Sequence, residues 1–189
     1  MTVGRKDLGA VFDQHVRHEF EDKDVEATMK TMTAEPYVWN VPTAVGGVGN
    51  HGVRRFYSEK FVGKMPDDTQ VIPISRTVSE DQVVDELLLT FTHDREIEYM
   101  LPGIAPTGRH VELPHVVVMK FEGDKIAHEH IYWDQGYAAR AGGPPRRSAG
   151  ASSGDRASAR AASAREEVNL TERGRLLANE VLVRLLPDA

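Results

Sequence analysis

Apolar positions recur at helical intervals along the first third of the chain. Leu8, Val11, Phe12, His15 and Val16 fall on one side of a helix predicted over 5–20. A second helix is predicted to follow Asp24, a residue type suited to an N-cap, through Ala27 and Met32. Residues 37–41 read as a short extended segment stopped by Pro42, and Gly46, Gly47 and Gly49 as a flexible turn. A third helix over about 50–62 carries Val53, Phe56, Tyr57 and Phe61 on one side. From residue 70 the period shortens to that of strands. QVIPISRTVSEDQVVDELLLTFTHD predicts two strands joined near Glu80 and Asp81, and LPGIAPTGR is a long connection. HVELPHVVVMKFEGDKIAHEHIYWDQ predicts a second hairpin turning at Gly123 and Asp124. Three N-terminal helices on one face of a curved antiparallel sheet is an α+β architecture.

The pattern breaks near residue 138. Residues 1–137 hold both tryptophans, all five tyrosines, all six phenylalanines and all eight histidines, as a folded domain should. Residues 138–165 contain no aromatic residue and no Val, Leu, Ile or Met. Such a segment buries too little apolar surface to offset its ordering entropy, and it is predicted to be a disordered linker. In the tail, 166–189, the positions Val168, Leu176, Leu177, Val181 and Leu185 allow a short amphipathic helix over 166–186, which Gly174 weakens.

Composition narrows the possible partners. A net charge of −6 and a pI of about 5.8 disfavour nucleic acid, whose binders concentrate Lys and Arg. No apolar run approaches the roughly 18 residues of a membrane span. The first 20 residues lack the continuous apolar stretch of a signal peptide, so the expected location is cytoplasmic. With no cysteine, disulfides, thiolate nucleophiles and zinc–cysteine sites are excluded together.

The final hairpin carries the candidate chemistry. Alternation along the strand puts His128, His130, Tyr132 and Asp134 on one face, and Glu129, Ile131 and Trp133 on the other. If Gly123 and Asp124 form a two-residue turn, Met119 opposes His128, Val117 opposes His130 and His115 opposes Tyr132. One patch would then hold His115, His130, Tyr132 and Asp134, a set able to pass protons near neutral pH. Three alternatives stand beside this one. The polar positions can mark a solvated face. A register error of one residue would exchange the two faces and put the Trp133 side inward. His128 and His130 with a nearby carboxylate could also ligate zinc or iron, although no HExxH helix occurs, and no metal site is assigned. No GxSxG elbow is present, and GGVGNHG lacks the GK[ST] ending of a phosphate loop.

Several segments in order, EPYVWNVPTAVGG (35–47), VRRFYSEKFVG (53–63), SRTV (75–78), VVDELLLTFTHD (83–94), LPGIAPTGR (101–109) and HEHIYWDQ (128–135), resemble SnoaL-like proteins of the nuclear-transport-factor-2-like superfamily, including those labelled polyketide or ester cyclases. The resemblance covers about residues 5–137. It implies a cone in which the sheet wraps around helices and encloses an apolar pocket. It also implies acid/base chemistry without metal or cofactor, carried by an aspartate on the final strand, and Asp134 is the matching position. A homodimer is expected on the same ground. Asn40, Trp39 and His93 are candidate substrate-binding wall residues. The chain departs from the family after Gln135, where an aliphatic segment gives way to GYAARAGGPPRRSAG. The expected function is an enzyme acting on a small apolar carbonyl, lactone or polyketide-like molecule by cyclisation, isomerisation or lactone hydrolysis. The alternative is a non-catalytic ligand-binding or dimeric scaffold module of the same fold.

Overall fold

The computed structural model describes residues 7–144. Most of the predicted linker and the whole of the predicted helix over 166–186 lie outside the described residues. The elements are α1 (Leu8–Phe20), α2 (Val25–Lys30), β1 (Met32–Asn40), β2 (Val45–Val48), α3 (Gly49–Phe56), a π-helical turn (Tyr57–Phe61), β3 (Gln70–Val78), β4 (Gln82–Thr92), β5 (His110–Glu122), β6 (Lys125–Tyr132) and α4 (Gln135–Gly142). Both early helices start at aspartates. Asp7 accepts from the backbone N–H of Ala10 at 3.2 Å, and Asp24 from that of Ala27 at 3.0 Å.

Six strands form one open sheet in the order β2-β1-β6-β5-β4-β3. Neighbours run antiparallel except β1 and β6, which are parallel. One face of the sheet is turned to the core. Val111, Leu113, His115, Val117, Met119 and Phe121 alternate inward along β5, and Val83, Leu87, Leu89 and Phe91 along β4. Helix α1 meets this face with Leu8, Phe12, His15 and Glu19, spaced one turn apart.

A polar clamp fixes the position of α1. Arg76 on β3 makes paired bonds of 2.6 and 2.7 Å to the buried Asp85 of β4. The same guanidinium reaches Asp13 at 2.7 Å and the Gly9 carbonyl at 3.2 Å, and it lies 4.7 Å over the Phe12 ring. It thereby ties the helix to two strands at the turn that precedes His15.

Three expectations need correction. The first strand extends back to Met32, and the glycine turn is a strand, β2. Close backbone approach explains the glycines: a Cβ on Gly46 would sit 1.9 Å from the Val38 carbonyl oxygen, and one on Gly47 2.3 Å from that of Gly52. Gly46→Ala is expected to unseat β2 and to cost about 3 kcal/mol or more, read by urea unfolding, because backbone is what obstructs the methyl. Second, the helix predicted over 50–62 is α only to Phe56 and finishes in the π turn, closed by Val62 N–H to the Tyr57 carbonyl at 2.8 Å. Third, residues 138–142 are helical and do not belong to a disordered linker. Apolar content missed α4 because polar groups hold it. Its last carbonyls are gathered by His93 and Thr107 on Gly142, each at 2.8 Å, and by Arg109 on Arg140 and Gly143, each at 2.9 Å.

Candidate active site

The turn at Gly123 and Asp124 starts as the sequence suggests, with Glu122 opposite Lys125 and Phe121 opposite Ile126. The ladder then slips: Lys120 pairs with His128, so Ala127 is an extra residue in β6. This bulge advances the rest of the strand by one position. Met119 faces Glu129, Val118 faces His130, Val117 faces Ile131 and Val116 faces Tyr132. Glu129, Ile131 and Trp133 therefore occupy the inner face.

The predicted patch of His115, His130, Tyr132 and Asp134 is not assembled. His115 alone faces the interior. His130 and Tyr132 lie on the outer face with His128. Tyr37 of β1 stacks on His128 at a centroid distance of 4.6 Å and tilts against His130 at 5.4 Å. Partial burial lowers the pKa of both imidazoles and raises that of Tyr132. Asp134 is exposed and caps α4, accepting the Tyr137 N–H at 2.7 Å. Of the predicted wall residues, Asn40 lines the interior cavity. Trp39 points outward, 38% exposed, and His93 sits buried under the end of α4.

A different acid/base set occupies the core. His15 of α1 is fully buried, with Nε2 2.9 Å from the Glu129 carboxylate and 3.2 Å from that of Glu19. The Tyr57 hydroxyl, carried by the π turn, donates to the same Glu129 oxygen at 2.8 Å and lies 3.2 Å from His15 Nε2. On the other side of the ring, Nδ1 is 2.5 Å from the Thr31 hydroxyl. That hydroxyl donates to the Thr28 carbonyl at 2.7 Å, so it must accept from His15, and Nδ1 carries a proton. With Nε2 facing two carboxylates, the ring donates from both nitrogens. Burial alone would depress its pKa, but Glu129 and Glu19 outweigh burial and raise it to about 10. Burial raises the pKa of Glu19, against the pull of His15. Burial and the two carboxylates together hold the Tyr57 phenol well above its ordinary range.

Glu19, Tyr57 and Glu129 open on an apolar cavity of about 60 Å³, walled by Phe12, Phe20, Phe56, Phe61 and Tyr99 among others. At about 10–15 Å³ per water-sized group, it admits a small fragment without rearrangement. His115 and Asn40 also line it. His115 Nδ1 is 2.9 Å from the Leu113 carbonyl and must be its donor, and burial lowers the ring's pKa to about 4, so Nε2 is a bare acceptor. Asn40 Nδ2 donates to the Val45 carbonyl at 3.0 Å, which leaves Oδ1 as an acceptor. Among the described residues, only His93 Nε2 is a buried side-chain polar atom with neither partner nor open space. The cavity thus has proton-sharing groups and two further polar residues, His115 and Asn40, in its lining. His15, Glu19 and Glu129 are also the described group that could hold a metal ion, with ligand atoms within 4.8 Å of one another. In the present geometry those atoms hydrogen-bond to each other.

Sequence reasoning missed His15, Glu19, Tyr57 and Glu129 as a set. Two signals were present. His15 lies on the apolar face of α1, and Glu19 lies four residues on, which puts an imidazole and a carboxylate together on a face meant for the core.

Residues 12–129 match the profile of the SnoaL-like domain family. Among solved structures, the chain is similar to a candidate SnoaL-like polyketide cyclase from Jannaschia sp. CCS1, with 18% identity, 75% of this chain and 97% of that chain covered, and a TM-score of 0.58. An NTF2-like protein of unknown function from Burkholderia pseudomallei matches with 13% identity, 72% and 97% coverage and a TM-score of 0.55. SalBIII, an epoxide hydrolase/cyclase-like enzyme of pyran ring formation in the polyether salinomycin, matches with 15% identity, 69% and 92% coverage and a TM-score of 0.53. At these identities the likeness is one of fold. No curated protein matches at the sequence level.

Proposed function

This chain belongs to the SnoaL-like domain family, and from that membership and its buried acid/base set we propose that it is a small-molecule enzyme of the cyclase, isomerase or lactone-hydrolase type. The observation that carries the proposal is His15, fully buried between Glu19 and Glu129, two carboxylates that line an apolar cavity. A buried histidine bridging two carboxylates is costly to assemble, and groups so perturbed cluster at sites that move protons. In this reading Glu129 takes a proton from an activated carbon or oxygen of the substrate, and Glu19, whose pKa burial raises against the pull of His15, passes one back from the shared set. His15 holds the charge between them. His115 Nε2 and Asn40 Oδ1 receive hydroxyl or N–H groups of the substrate, a role His115 keeps from the sequence-based expectation while Asp134, His130 and Tyr132 lose theirs.

The substrate class is a small, largely apolar carbonyl compound, lactone or polyketide-like fragment bearing a hydrogen-bond donor. The proposal includes a homodimer and a cytoplasmic setting. Trp39 and Val116 on the outer sheet face, each 38% exposed, supply apolar surface for pairing. Among the described residues no helix is long and apolar enough to cross a membrane.

The test is a panel of small lactones, β-dicarbonyl compounds and epoxides incubated with the purified full chain and followed by mass spectrometry. Conversion of at least one compound is expected. His115→Phe, which keeps the ring and removes the acceptor, should then raise KM about three- to tenfold with little change in kcat, the worth of one hydrogen bond. Binding of panel compounds with no conversion of any would instead favour the ligand-binding module.

A further inference from the structure

A second cavity, of about 460 Å³, is bordered by Thr31, whose hydroxyl meets His15 Nδ1. It is lined by Val11, Gln14 and His18 of α1, Ala27, Lys30 and Thr31 at α2, and Asp124 and Lys125 at the β5–β6 turn. Its walls mix apolar surface from Val11 and Ala27 with polar and charged side chains. His18 Nδ1 bonds Asp22 at 2.7 Å, and the Lys125 ammonium donates to the Lys30 carbonyl at 2.5 Å. Thr31 is the residue common to this cavity and to the buried set. It is 7% exposed, and its hydroxyl accepts the His15 Nδ1 proton. His15 thus joins two compartments, with Nε2 toward the carboxylates that line the apolar cavity and Nδ1 toward Thr31.

We propose that Thr31 is a proton-relay and positioning residue, through which His15 exchanges protons with solvent in the α1/α2 cavity and not through the substrate cavity. The inference rests on the acid/base reading of His15. The step balances without a further reactant. The hydroxyl turns from the Thr28 carbonyl toward a water in the α1/α2 cavity. Its own proton passes to that water as its oxygen takes the Nδ1 proton of His15, and the hydroxyl then turns back to Thr28. The imidazolium loses one proton and the solvent gains one; run in reverse, the same movements reload the ring. The arrangement explains why a histidine with no exposed surface can be reset between turnovers while the apolar cavity stays closed. It also gives Thr31 a second duty: by accepting at Nδ1 it keeps Nε2 aimed at Glu129 and Glu19.

The test reads the ring directly. In the full-length protein labelled with nitrogen-15, the His15 ring N–H signals and their exchange with water are followed by NMR without any ligand. Thr31→Val, similar in shape but without the hydroxyl, is expected to slow that exchange by about tenfold or more, and Thr31→Ser to restore it. Gln14 is exposed on α1, so Gln14→Phe fills the α1/α2 cavity from the surface and leaves Thr31 intact; it should slow exchange too, whether or not Thr31→Val folds. Exchange as fast as in the parent in the Thr31→Val protein overturns the inference, as does unchanged exchange in the Gln14→Phe protein. Because no substrate is needed, a chain that converts no panel compound yet shows these rates keeps the relay and loses the enzymatic reading.

Discussion

Glu129→Gln is expected to lower turnover of any converted compound by about 100-fold or more while the protein stays folded. The amide retains the shape of the carboxylate, and its oxygen can still accept the Tyr57 hydroxyl that now donates at 2.8 Å. What it removes is the base and half of the negative charge that holds the His15 proton. The His15 pKa, raised to about 10 by the two carboxylates, should fall by several units, because burial then works against only Glu19. NMR titration of the ring and steady-state kinetics on the same sample check both parts. Asp134→Asn is the informative comparison. Asparagine caps a helix about as well as aspartate, and the exposed Asp134 bonds only the Tyr137 N–H among the described residues. That variant should keep both turnover and stability. The opposite pair of outcomes, an active Glu129→Gln and an inactive Asp134→Asn, would return the chemistry to the end of the last strand and end the present assignment.

The contrast between those two residues shows where sequence reasoning held and where it stopped. Local signals were legible. The Asp24 cap, the helical face of α1 and the turn at Gly123 all follow from short-range chemistry, and so did the α+β class. The inward face of β5, with His115 on it, was legible for the same reason. The face of β6 was not, because it depends on one extra residue. Ala127 breaks the alternation between Ile126 and His128, and nothing in alanine's propensity announces a bulge. The pairing of β1 with β6 was equally hidden, since parallel partners distant in sequence leave no local mark. Glu19 and Glu129 are 110 positions apart in the chain; only the clamp of Arg76 on Asp85 and Asp13, together with the bulge, brings them to one histidine. Polar residues on a helix's buried face were the available clue. In α4 the error ran the other way, because backbone carbonyls held by His93, Thr107 and Arg109 order a segment with almost no large apolar side chain.

Stability should decline steeply on the alkaline side. Its two carboxylates raise His15 from an ordinary value of 6.5 to about 10 in the folded state. Its contribution is therefore complete below pH 6.5 and is lost as pH rises toward 10. At about 1.4 kcal/mol per unit, this amounts to on the order of 4–5 kcal/mol across that window. Glu19 and Tyr57 carry the same sign in other windows: Glu19's contribution begins to be lost as pH rises past 4.5, and Tyr57's only as pH rises past 10. His115 has the opposite sign. Its pKa is lowered to about 4 by burial, so acidification from pH 6.5 toward 4 costs stability as the unfolded chain takes up a proton that the folded chain refuses. Urea unfolding of the full chain between pH 4 and 10 should give a maximum near pH 6 with the steeper limb on the alkaline side. Glu129→Gln should flatten that limb, because the carboxylate that raises His15 is gone, and His115→Phe should soften only the acid limb. A stability constant from pH 6.5 to 10 in the parent protein would mean that His15 is not held as an imidazolium, and the proton-sharing set would then lack the charge that its two carboxylates require.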